Sequence, residues 1–179
     1  MYENKFNLNK QQSLFIAKKL LVENIYCGAK IEEINVTFLD IKNILNGVNV
    51  KNINISEIET ILNLRDAYKY VLNNFKTELN LEYICKVNDF VARNESLEWG
   101  KLRNGTVGIS GVRYIPPILN ELQVKTSIKN ILDKNISITE KAIEYFLYGC
   151  RSQMFWDGNK RTSLIVANKI IISRGCWCY

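Results

Sequence analysis

Along most of the chain apolar residues return every three or four positions, the spacing that stacks them on one face of a helix. Leu14, Ala17, Leu21 and Ile25 predict a first helix over about 10–27, and Thr37 can cap a short one that stops at Gly47. In SEIETILNLRDAYKYVLNNF, Ser56 and Glu59 stand at the spacing of a capping box, while Ile58, Ile61, Leu62, Tyr68, Val71, Leu72 and Phe75 supply the buried stripe. A fourth helix is predicted from about Asn80 to Arg93, with Leu81, Ile84, Val87 and Val91 inward. Two more follow over about 119–133 and 139–150, and a last one begins near Arg161 and carries Leu164, Ile165, Ala167 and Ile170. One stretch leaves this rhythm. GTVGISGVRYIPP, residues 105–117, is β-branched and punctuated by Gly105, Gly108 and Gly111, each able to take positive φ, and it stops at Pro116–Pro117. It reads as a small β-hairpin, with Thr106, Val107, Gly108 and Ile109 in its first arm. No repeat or linker interrupts the chain, so the pattern predicts one mainly α domain over residues 1–179: a helical bundle carrying a small β-hairpin.

Composition narrows the class without changing it. With 47% apolar and 23% charged residues, 179 residues suit one globular domain. The net charge of +6 is spread among acids rather than gathered in basic tracts, which disfavours nucleic acid as a partner. No apolar run approaches the roughly 18 residues of a membrane span, and MYENKFNLNK carries charge where a signal peptide would be apolar, so a cytoplasmic protein without membrane insertion is expected. Cys27, Cys85, Cys150, Cys176 and Cys178 have no zinc spacing, and there is no histidine to complete a site. Free thiols are expected, with a metal or redox pair at Cys176 and Cys178 as the lesser alternative.

Candidate chemistry gathers in QMFWDGNKRT, residues 153–162. Apolar periodicity resumes straight after Arg161, so this loop feeds the start of a helix, where unpaired backbone amides and the helix dipole together attract anions. Gly158 permits close approach of phosphate oxygens; Asn159 adds an amide, Lys160 a mobile charge and Arg161 a planar fork. Asp157 can hold the magnesium that accompanies a polyphosphate. The same residues equally suit a solvated turn ahead of a capped helix. A Walker A loop is excluded, because Gly158-Asn159-Lys160-Arg161-Thr162 lacks the required earlier glycine.

The stretch resembles the signature of the Fic family, H-P-F-x-D-G-N-G/K-R with a frequent variant ending G-N-K-R-T, and matches it at Phe155, Asp157, Gly158, Asn159, Lys160, Arg161 and Thr162. LRNGTVGISGVRYIPP is similar to the family segment in which an arginine precedes a β-hairpin flap, with Arg103, Tyr114, Pro116 and Pro117 in place. GAKIEEINVT resembles the inhibitory segment that precedes many Fic cores, with Glu32 at its glutamate. The resemblance implies a Fic-type helical bundle with an inhibitory-type helix over about 10–33, a flap over 105–117 and a nucleotide loop over 153–162. It implies ATP and magnesium as cofactors, with Asp157 as metal ligand. Asn159, Arg161 and the amides of Gly158 to Lys160 would sit on the phosphates, Phe155 would anchor the loop from beneath, and Glu32 would have a regulatory place. The implied reaction is transfer of AMP to a hydroxyl of a protein target clamped by the flap.

Five positions depart from the family pattern. Gln153 stands where the family has its catalytic histidine, and Met154 where it has proline. A glutamine amide has no proton equilibrium near neutrality, and loss of a general base typically lowers a rate by about 10² to 10⁴. Gly28 and Glu33 replace the serine and glycine that flank the inhibitory glutamate, and Leu164 replaces the second arginine with which that glutamate pairs, leaving Arg161, Lys160 or no cation for Glu32. A nucleotide-binding protein impaired in AMP transfer is therefore the leading expectation. The alternatives are an AMP transferase that remains active, an enzyme that removes AMP, and a non-catalytic interaction module that uses the flap. The chain ends soon after the motif helix, where family cores generally continue, so a truncated core or a homodimer with Trp177 and Tyr179 at its interface is expected.

Overall fold

The computed structural model describes residues 8–109, 111 and 113–175. Every regular element among them is a helix: α1 (Lys10–Lys19), α2 (Leu21–Ile31), α3 (Phe38–Leu45), α4 (Ile55–Asn73), α5 (Leu81–Val91), α6 (Glu121–Asp133), α7 (Ile138–Ser152) and α8 (Asn159–Arg174). The last helix is the axis of the bundle. α8 packs against α7, α5, α4, α1 and α2, so it is buried around most of its circumference and shows no amphipathic stripe. Its polar residues Arg161, Thr162, Ser163, Asn168 and Lys169 are interior as a result. α7 lies close along it at Gly149, where a β-carbon would meet the Ser163 hydroxyl at 2.1 Å. A main core unites Ile25, Ile41, Ile61, Leu64, Ile84 and Ile165 between the helices.

The predicted helices are present, with shifted boundaries. The single helix expected over 10–27 is two, divided at Leu20 (φ −87°, ψ 12°) and continuing to Ile31. Thr37 caps α3 through a reciprocal box with Asp40. The box of α4 is Asn54 with Glu57 rather than Ser56 with Glu59. Both pairs have the required spacing, but the helical ladder already begins at Asn54, whose carbonyl accepts from the Ile58 amide, so Ser56 lies inside the helix. α8 begins at Asn159, two residues ahead of the predicted Arg161.

The hairpin expected over 105–117 is not seen among the described residues. No strand occurs among the described residues of this segment, and Ser110 and Val112 lie outside them. Of its glycines only Gly111 takes positive φ (78°). The segment is held by one buried side chain instead of a ladder: the Arg103 guanidinium donates to the carbonyls of Gly105, Pro116 and Pro117, pinning both ends together. Thr106 and Gly108 are exposed between those anchors. Among the described residues, no helix is long and apolar enough to cross a membrane, and Cys27, Cys85 and Cys150 are free thiols. Cys176, Trp177, Cys178 and Tyr179 lie outside the described residues.

Candidate functional site

The motif loop is a left-handed turn at each end. Gln153 ends α7 in the αL region (φ 46°, ψ 58°), and Gly158 opens α8 in the same region (φ 69°). Gly158 is also fixed by space, because a β-carbon there would lie 2.8 Å from Val91 Cγ1 and 3.3 Å from Ala92 Cβ, seating the loop on the end of α5. Between the turns the Asn159 carboxamide closes the loop on itself. Its Oδ1 accepts from the Phe155 amide (2.9 Å), while its Nδ2 donates to the Phe155 carbonyl (2.8 Å) and to Gln153 Oε1 (3.1 Å). Gln153 Nε2 donates in turn to the Cys150 carbonyl (2.7 Å), so both halves of that amide are engaged. Phe155 is buried below.

Two residues tie this loop to the rest of the molecule. Asn88, fully buried on α5, donates to the Asp157 carbonyl (3.0 Å) and to Thr162 Oγ1 (3.2 Å) and accepts from the Gly100 amide (2.9 Å). Arg103 donates from Nε to the Gln153 carbonyl and from its backbone to the Met154 carbonyl (3.0 Å), joining the flap segment to the loop. Trp156 lies against Gly105, where a β-carbon would come within 2.4 Å of the indole.

The start of α8 presents its backbone. Thr162 is the first residue to enter the helical ladder, through the Gly158 carbonyl (2.8 Å). The amides of Asn159, Lys160 and Arg161 have no protein acceptor among the described residues, and the dipole of a helix 16 residues long stands behind them. The Gly158 amide, by contrast, donates to the Asp157 carboxylate. Asp157 is half-exposed. No group of three His, Cys, Asp or Glu side chains that could hold a metal ion occurs among the described residues. A cation here would therefore have to take most of its ligands from bound phosphate and water, as magnesium does in nucleotide sites.

The cations of the motif are not equally available. Lys160 is exposed, with Nζ 3.1 Å from the Ile31 carbonyl and 4.0 Å from Glu32 Oε1. Arg161 is 2% exposed and lies among three carboxylates: Nη2 is 2.7 Å from Glu95 Oε2 and 3.6 Å from Asp157 Oδ1, and Nε is 3.3 Å from Glu32 Oε1. Its Nη1 donates to the Val91 carbonyl (3.2 Å). Burial works against its charge, but the hydrogen-bonded Glu95, with Glu32 and Asp157 adding to it, pushes its pKa above the ordinary arginine value. Glu32 thus faces Arg161 and Lys160, while Leu164 is partly exposed. The side chains of Asn159 and Arg161 are committed to protein partners, which leaves the backbone of α8, Lys160 and Asp157 facing outward.

Sequence reasoning missed Asn88 and Glu95. Asn88 had a signal, a polar residue beside the apolar Ile84, Val87 and Val91 of one short helix. Glu95 had none, since it sits in the turn after α5 and gains its place from Thr60 and Asn63 on α4.

Comparisons with known proteins bear on the fold. A Fic domain containing signaling protein from Bacteroides thetaiotaomicron VPI-5482 superposes with a TM-score of 0.74 at 16% identity, over 94% of this chain and 68% of its own. Fic-1 from C. elegans gives 0.73 at 19%, over 89% and 50%. A Fic family protein from Desulfovibrio desulfuricans G20 gives 0.72 at 14%, over 95% and 59%. At such identity they show a shared fold, and the chain spans between half and about two thirds of the length of these structures. No curated protein sequence matches it. Residues 78–171, more than half of the chain and including the whole motif loop, match the sequence profile of the Fic/DOC family, and the chain belongs to that family.

Proposed function

We propose that the protein binds a nucleoside triphosphate with magnesium at the start of α8 and is impaired in transferring AMP to a protein hydroxyl. The observation that carries this reading is the row of three unpartnered amides at Asn159, Lys160 and Arg161. Preorganised donors of this kind stabilise phosphate charge without rearranging. Asp157 would hold the magnesium, which supplies charge neutralisation on the phosphates. Asn159 contributes by keeping the loop closed, and Phe155 by seating it. The flap segment, tied through Arg103 and Trp156, lies beside the loop, where a target segment would approach.

Gln153 explains the impairment. Its Nε2 and Oε1 are both occupied, by the Cys150 carbonyl and by Asn159, and an amide has no proton to exchange near neutral pH. The chain binds and orients, but no histidine exists anywhere in it to take the proton of an attacking hydroxyl.

Titration calorimetry with ATP and magnesium tests the binding. Heat is expected from the native protein and not from Gly158→Val, whose side chain would collide with Val91 and displace the amides. Absence of heat from the native chain contradicts the reading. Labelled ATP with a cell lysate tests the impairment: the native protein is expected to label nothing, and Gln153→His to gain transfer by about 10² or more. Efficient labelling by the native protein would show that transfer does not depend on a histidine.

A further inference from the structure

Glu95 holds Arg161 more firmly than Glu32 does. Oε1 of Glu95 accepts from Thr60 Oγ1 (2.9 Å) and Asn63 Nδ2 (3.3 Å), and the same Asn63 nitrogen donates to the Arg93 carbonyl (3.0 Å). The carboxylate is therefore placed by α4, with Oε2 directed at Arg161 Nη2 (2.7 Å). Glu32 comes from the end of α2, and although its Oε1 is 3.3 Å from Arg161 Nε, that nitrogen has no aligned hydrogen-bond acceptor. One carboxylate is fixed in place and bonded; the other is near but not engaged.

The charges around the two motif cations are unequal. Glu32, Glu95 and Asp157 surround Arg161 and Lys160, so three negative charges face two positive ones. A polyphosphate approaching the amides of α8 meets an arginine whose charge is already neutralised and whose Nη1 and Nη2 are bonded to protein.

We propose that Glu95 is a positioning residue that withholds the Arg161 guanidinium from bound phosphate, so that this chain takes its anion with backbone amides and Lys160 alone. The proposal rests on the nucleotide reading of the loop. Glu95, held by Thr60 and Asn63, keeps Arg161 as a brace between the end of α5 and the start of α8. Anion affinity in the native protein is weak and depends strongly on magnesium, because the local charge excess must be offset from outside. Without the Glu95 charge the guanidinium is a buried cation lacking its main partner, and a phosphate oxygen becomes its best available acceptor.

The test is calorimetric titration of ATP, with and without magnesium, into the full chain and its Glu95→Gln variant. The variant keeps an oxygen for Thr60 and Asn63 but presents an amide to Arg161. Affinity is expected to rise about tenfold, the order set by one added charge-assisted hydrogen bond, and the dependence on magnesium to weaken. Damage to the fold would lower affinity, so the direction of change separates the two effects. Thr60→Val, which removes one of the groups holding Glu95, is expected to move affinity the same way by less, and it carries the test if Glu95→Gln does not fold. Native binding that is unchanged or weakened in both variants overturns the proposal and leaves the nucleotide reading intact. Binding by Glu95→Gln alone supports the withholding role and removes the nucleotide reading of the native chain. Silence from all three proteins removes both.

Discussion

Asn88 carries more structure than any motif residue except Asn159 and Arg161. It is fully buried and satisfies the Asp157 carbonyl, the Gly100 amide and Thr162 at once. Asn88→Leu is expected to cost about 2–4 kcal/mol, since burying groups without partners carries most of their desolvation penalty; the midpoint of chemical unfolding measures it. Lys169 makes a second prediction. It is 3% exposed, donates to the Thr77 carbonyl (2.6 Å) and lies over the Tyr83 ring, and burial brings its pKa down to about 8. Below that pH the amine is charged in both the folded and the unfolded chain, and its burial penalty is fully present. From about 8 upward the unfolded chain holds the extra proton, so this group's contribution to stability improves as pH rises, by on the order of 3 kcal/mol by the end of its range. Lys169→Met removes the penalty at neutral pH. Its stability advantage over the native protein is expected to shrink between pH 8 and pH 10, and an advantage constant with pH would contradict the assignment. At this scale the sequence revealed which residues belong to the motif but not what they touch. Arg161 reads as a phosphate fork until the third dimension brings Glu95 to it from 66 residues away.

The helices were legible because their stripes are long and their caps local. Thr37 could be placed as a cap from the sequence, its partner Asp40 appearing in the structure, whereas α4 offered two overlapping boxes and the chain used the earlier one. The segment over 105–117 reads as a hairpin in sequence but shows no strand among its described residues. β-branched residues between glycines fit a strand, but a strand needs a partner, and here the carbonyls at both ends are taken by Arg103. Arg103→Leu is expected to free both ends of this segment and the Gln153 carbonyl together. The readout is limited proteolysis between residues 104 and 118, with cleavage rising at least severalfold if the segment opens locally, since opened backbone is what a protease cuts. Cleavage at the native rate would mean that other contacts hold the segment. Gly105→Val tests the same junction from the other side, because the added methyl groups must displace Trp156; a change in tryptophan fluorescence is expected.

In the whole molecule α8 forms the core and also carries the first turn of the candidate site. Its body is buried on nearly every side, and its first turn opens toward the loop with three amides unspent. The helical class was evident from periodicity, and the family from the motif. The central placement of α8 was not, because a helix buried all round looks in sequence like one with no preferred face. Labour in the loop is thereby divided: side chains of the motif close and brace it, and the amides of the first turn of α8 are left for the proposed phosphate. Amide-resolved NMR of the ¹⁵N-labelled protein during titration with ATP and magnesium addresses that division directly. The amides of Asn159, Lys160 and Arg161 are expected to shift the most and to saturate together, as hydrogen bonds to phosphate form. Shifts confined to other regions, or none as the nucleotide reaches saturating concentration, would contradict the binding of phosphate at the start of α8.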